Sequence, residues 1–142
     1  MTHPITTFEV EHVAFALARQ YYTFNEPIPD FTTRFPNVLE SCLSNPFQTY
    51  SRKDLYAGLV KKASILFYLM IKNHPFQNGN KRIAMTTLLY FLYKHNKWIR
   101  VDDEVFYRFA LWVTESPSDA KEEVITYIEK FIKQHIVSSA TD

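Results

Sequence analysis

Residues 63–71 (ASILFYLMI) are apolar on every helical face, so a helix through them has no side to turn to water and must be covered all round. The run is far shorter than the roughly 20 residues a bilayer span needs, so the cover has to come from the protein itself. With 12 Phe, 9 Tyr and 2 Trp in 142 residues, the rest of the chain can supply it. That length suits one ordinary domain, expected to span residues 1–142, with no disulfide or structural metal required.

Helical spacing dominates around this segment. Residues 8–22 place Val10, Val13, Ala14, Leu17 and Tyr21 along one side of a first helix, which ends before Asn25, Pro27 and Pro29. Residues 23–50 hold four of the seven prolines and read as an irregular connector, with a short helical piece at 38–43. The central helix is predicted from Ser51, with Asp54 three residues on as an acidic capping box, to about Asn73. A second core-facing helix follows at 80–95, where Ile83, Ala84, Thr87, Leu88, Phe91 and Leu92 recur at helical intervals. Residues 102–114 and 117–135 complete the set, the last with Ser116 as N-cap, Pro117 in the first turn and Asp119 at the third position. Residues 138–142 read as a frayed tail. No alternating strands recur between turn signals, and the predicted class is all-α.

Sixteen basic and fifteen acidic side chains leave a net charge of +1, which gives no sign of an electrostatic nucleic-acid binder. The single cysteine, Cys42, reads as a small buried hydrophobe and fits a reducing compartment. Residues 1–10 lack the basic region and apolar run of a secretory signal, so a soluble, cytoplasmic protein without a membrane span is expected.

Chemistry concentrates between the two central helices, in His74-Pro75-Phe76-Gln77-Asn78-Gly79-Asn80-Lys81-Arg82. Gly79, one of two glycines, stands just before a helix start, where free N–H groups and the helix dipole favour an anion. Lys81 and Arg82 put two cations where that dipole disfavours them, a conflict that a bound polyphosphate would relieve. Arg82 can grip two phosphate oxygens with its planar fork while Lys81 acts as a point charge. His74 can take the proton of an incoming hydroxyl, and equally can cap the carbonyls of the helix it ends. Phe76 reads as a core plug that anchors the loop. His3, His12, His95 and His135 carry no such pattern.

The string HPFQNGNKR resembles the Fic/Doc signature H-P-F-x-(D/E)-G-N-(G/K)-R at eight of nine positions, within a wider likeness over residues 37–95. The resemblance implies an all-α Fic fold that transfers part of a nucleoside triphosphate, ATP with Mg²⁺, to a protein hydroxyl. It implies His74 as general base, Gly79, Asn80 and Lys81 lining an anion hole, and Arg82 on the phosphates. Lys81 where Fic proteins carry glycine, and Met85 where a second arginine stands, point to the Doc type, a toxin that moves the terminal phosphate onto translation elongation factor Tu. Gly79 and Pro75 keep the common Fic form, whose members typically move AMP or another nucleotide.

Asn78 departs from the pattern at the acidic position expected to hold magnesium. An amide oxygen binds Mg²⁺ more weakly than a carboxylate, so the resemblance also admits a catalytically silent Fic-fold binding module. The family's inhibitory motif S/T-x-x-x-E-(G/N) is only approached at residues 118–123, which implies a separate antitoxin as inhibitor. The family's flap, which aligns the target's backbone, falls within residues 44–51.

Overall fold

A computed structural model describes residues 2–22 and 27–139. The first helical segment is α1 (Thr7–Glu9), a π-helical stretch at Val10–Ala14 and α2 (Phe15–Gln20), run together. It opens with a capping box: the Thr6 hydroxyl accepts the Glu9 N–H, and the Glu9 carboxylate accepts the Thr6 N–H. It stops at Gln20, and Tyr22 is left-handed at φ 57°.

The predicted helical piece lies within α3 (Pro36–Ser44). The connector also holds two 3₁₀ turns, Phe31–Thr33 and Asn45–Phe47, while its residues 23–26, Asn25 among them, lie outside the described set.

The central helix does not begin at Ser51. Residues Thr49–Tyr50 (β1) and Lys53–Asp54 (β2) form an antiparallel hairpin around Ser51 and Arg52, both left-handed at φ 52° and 65°. Asp54 therefore caps nothing, and its carboxylate accepts a hydrogen bond from Lys62 Nζ at 2.8 Å. The helix α4 (Leu59–Lys72) starts instead after Gly58, at φ 88°.

Every residue from 62 to 71 is buried, as the apolar run requires. Lys62, only 2% exposed, is held there by Asp54 and by the Tyr56 carbonyl. A buried cation is tolerable only when paired in this way.

Beside α4 lies α5 (Asn80–Tyr93), buried from Arg82 to Leu89. The segment α1–α2 packs on one flank of α5; α6 (Asp103–Glu115) packs against α4 and α5, and α7 (Lys121–His135) against α4. Asp102 caps α6 by accepting the Glu104 N–H. Ser116 is extended rather than an N-cap; Pro117 precedes a 3₁₀ turn, Ser118–Ala120, that leads into α7.

Two short strands complete the largely helical fold. Lys97–Ile99 (β3) pairs antiparallel with Ile136–Ser138 (β4). Ser138 thus belongs to a sheet, and the Ser139 N–H donates to the Asn96 carbonyl; residues 140–142 of the expected frayed tail lie outside the described set. Among the described residues no helix is long and apolar enough to cross a membrane.

Candidate active site

The loop leaves α4 through Asn73 and turns sharply at His74, whose φ of 50° is left-handed. Just before it, Lys72 Nζ donates to the carbonyls of Thr114 and Ser116, tying the last turn of α4 to the end of α6. His74 is exposed on the loop, while Pro75 and Phe76 turn inward. The Pro75 carbonyl accepts the Phe35 N–H at 2.9 Å. Phe76 is 2% exposed and meets Phe15 edge-on at 5.0 Å, so the loop is anchored in the core.

Asn80 sets the loop's shape. Its Oδ1 accepts the Phe76 N–H at 3.1 Å, and its Nδ2 donates to the Phe76 carbonyl at 2.9 Å. One amide therefore closes the turn from both sides. This stapling role went unread in the sequence; an amide four residues after the aromatic anchor is the signal that could have found it.

Gly79 is buried and left-handed at φ 72°, a conformation that glycine adopts at little cost. A Cβ there would lie 3.0 Å from the Pro27 carbonyl oxygen and 3.1 Å from Ile28 Cδ1, so residues 27–29 pack directly over it. The Gly79 N–H donates to Asn78 Oδ1 at 2.8 Å. Asn78, expected at the metal position, thus turns its oxygen onto the backbone at the start of α5.

Lys81 is half-buried in the first turn of α5, and Arg82 is 5% exposed. The Arg82 guanidinium donates to the carbonyl of Ala18, in the last turn of α2. Carbonyls there have no partner further along the helix and carry the negative end of its dipole. The unfavourable placement of Arg82 at one helix start is thereby offset by another helix's end, without a phosphate. Thr86 repeats the link one turn later, donating to the Ala14 carbonyl at 2.9 Å.

These contacts bring His74, Asn78, Gly79, Asn80, Lys81 and Arg82 to one end of the α4–α5 pair. A cavity of about 590 Å³ lined by Gly58, Lys62 and Lys94 opens at the other end, roughly 20 Å away along the helices. Among the described residues no three His, Cys, Asp or Glu side chains gather to hold a metal. The donor set at the loop, with an amide at position 78 already bonded to the backbone, does not fit a Mg²⁺ ion held by protein carboxylates.

A buried helix pair that carries a histidine, an aromatic anchor and a glycine-led helix start on its connecting loop defines a Fic-type domain. The model of the Fic/DOC family matches residues 4–92, and the chain belongs to that family, whose members modify proteins by group transfer. No curated protein and no solved structure matches the chain.

Proposed function

We propose that this chain is a Doc-like toxin that transfers the terminal phosphate of ATP to a hydroxyl of a protein such as translation elongation factor Tu. The observation that carries this reading is the loop itself: an exposed His74 on a left-handed turn beside the glycine-led start of α5. In the reaction the target hydroxyl gives its proton to the His74 imidazole, and its oxygen bonds to the γ-phosphorus as the bond to ADP breaks. Gly79, Asn80, Lys81 and Arg82 would hold the phosphates, with Arg82 exchanging the Ala18 carbonyl for phosphate oxygens. Any magnesium enters on the nucleotide's own phosphates. Lys81 and Met85 favour phosphoryl over AMP transfer. A separately supplied antitoxin is the expected regulator.

A second reading, a silent Fic-fold binding module, is favoured by the engagement of three groups the nucleotide would need. Asn78 holds the Gly79 N–H, residues 27–29 cover Gly79, and Arg82 is bonded to Ala18.

The two readings separate when α-labelled and γ-labelled ATP are incubated in parallel with a cell lysate, magnesium and either the native chain or His74→Ala. Label from γ alone, lost in His74→Ala, supports the kinase, and label from α means AMP transfer. If neither label moves and Asn78→Asp gains metal-dependent transfer, the silent reading stands.

A further inference from the structure

Helices α6 and α7 share a ladder of aromatic rings. Phe109 stacks on Phe131 with centroids 4.1 Å apart, and Trp112 extends the stack over Phe109 at 5.7 Å. Tyr127 meets Trp112 edge-on at 5.5 Å and 82°. The inner two rings pack against the core, but Trp112 and Tyr127 are 43% and 54% exposed. They wall a cavity of about 230 Å³ whose rim includes Glu115, Ser116, Pro117 and Glu123. Sites for whole small molecules run to roughly 300–1,000 Å³, so this one has room for a single side chain.

Neither Glu115 nor Glu123 has an ion-pair partner among the described residues. The nearby cations are already engaged: Lys121 lies over the Tyr68 ring at 5.9 Å, Lys130 over the outer wall ring Tyr127 at 5.3 Å, and Lys72 Nζ donates to the Ser116 carbonyl. The Lys130 contact also shows that the Tyr127 ring takes a cation. The exposed Trp112 ring beside two carboxylates that hold no ion pair offers a planar cation a π-face and acceptors.

We propose that this notch binds the guanidinium of an arginine side chain presented by a partner protein. Arginine fits better than lysine because its flat head can stack on an indole while its N–H groups reach a carboxylate. The place is informative as well. The Ser116 carbonyl at the notch accepts from Lys72 Nζ, two residues before His74, so a partner gripped here lies beside the loop. The binding does not depend on transfer activity and would persist in a silent domain.

The test follows the two indole N–H resonances of the full chain by NMR while N-acetyl-arginine-N-methylamide is added, with the uncharged citrulline analogue in parallel. The expected result is a saturable shift of the Trp112 indole with Trp98 still, and binding of the citrulline analogue at least about tenfold weaker. Glu115→Gln combined with Glu123→Gln should weaken the arginine probe by about fivefold or more. An unmoved Trp112, equal affinity for the citrulline analogue, or full affinity in the double variant would each overturn the proposal. The citrulline arm needs no variant and so does not depend on how one folds.

Discussion

At the level of single residues, Asn80 closes the loop, because its amide meets both polar groups of the Phe76 peptide backbone. Asn80→Ala leaves both groups short of a partner and should cost about 1–3 kcal/mol in urea denaturation, with Asn80→Asp, which keeps one acceptor, falling between. A second residue works through charge. Burial would raise the Glu9 carboxyl, but the Thr6 backbone N–H, the Tyr90 hydroxyl and the Lys94 ammonium outweigh it and hold the pKa below its ordinary value of 4.5. The folded carboxyl thus releases its proton more readily than the unfolded one. Its stabilisation is complete above pH 4.5 and fades as pH falls through the lowered folded value. Glu9→Gln cannot titrate, so the stability gap between the native chain and this variant should stay level at neutral pH and close on acidification below 4.5 in pH-dependent thermal melts. Phe76 and Gly79 were legible in the sequence because an aromatic in a polar loop and a rare glycine before a helix each have few physical explanations. The attachment of Arg82 to Ala18 was not, since it joins residues 64 positions apart and depends on where α2 ends.

At the level of elements, the sequence revealed the helices well and the hairpin not at all. Helices α5, α6 and α7 carry apolar residues at helical intervals and α4 is apolar on every face, but two starts were misread: α4 begins after Gly58 rather than at Ser51, and α7 at Lys121 rather than at Pro117. The β1–β2 ribbon has two residues per strand, too few for alternation to register. Its turn places two successive left-handed residues, Ser51 and Arg52, where asparagine and glycine are the usual signals. Ser51 and Asp54 therefore read as a helix cap, and only the pairing of Thr49 with Asp54 and Tyr50 with Lys53 shows otherwise. The same mismatch makes the turn improvable. Replacing Ser51 with Asn and Arg52 with Gly should relieve the left-handed strain and stabilise the chain by about 1 kcal/mol, read as an upward shift of the thermal midpoint. Loss of stability would mean that the ribbon's own turn contacts matter more than its backbone angles.

On the scale of the whole molecule, the family match ends at residue 92, yet the core does not. Phe67, in the middle of α4, packs against Phe106 at 5.9 Å and Phe109 at 6.4 Å, both from α6. From α7, Val124, Ile125, Ile128 and Ile132 are buried in the same cluster, and Glu129 pairs with Lys61 of α4 at 3.0 Å. The β3–β4 ladder then fastens the end of α7 to the strand that follows α5. A chain cut after residue 95 would turn one side of α4 to water along a run with no polar face. At roughly 25 cal/mol per Å² of apolar surface, or about 1.5–3 kcal/mol per large side chain, uncovering several of them removes an amount comparable with the roughly 5–15 kcal/mol by which domains are stable. The 142-residue chain should therefore melt in a single cooperative transition, with calorimetric and van't Hoff enthalpies equal. The fragment 1–95 should show no cooperative transition and should bind a hydrophobic dye, as collapsed chains without fixed packing do. A sharp melt of the fragment would instead place the folding unit within the family-matched region and make α6 and α7 an added layer.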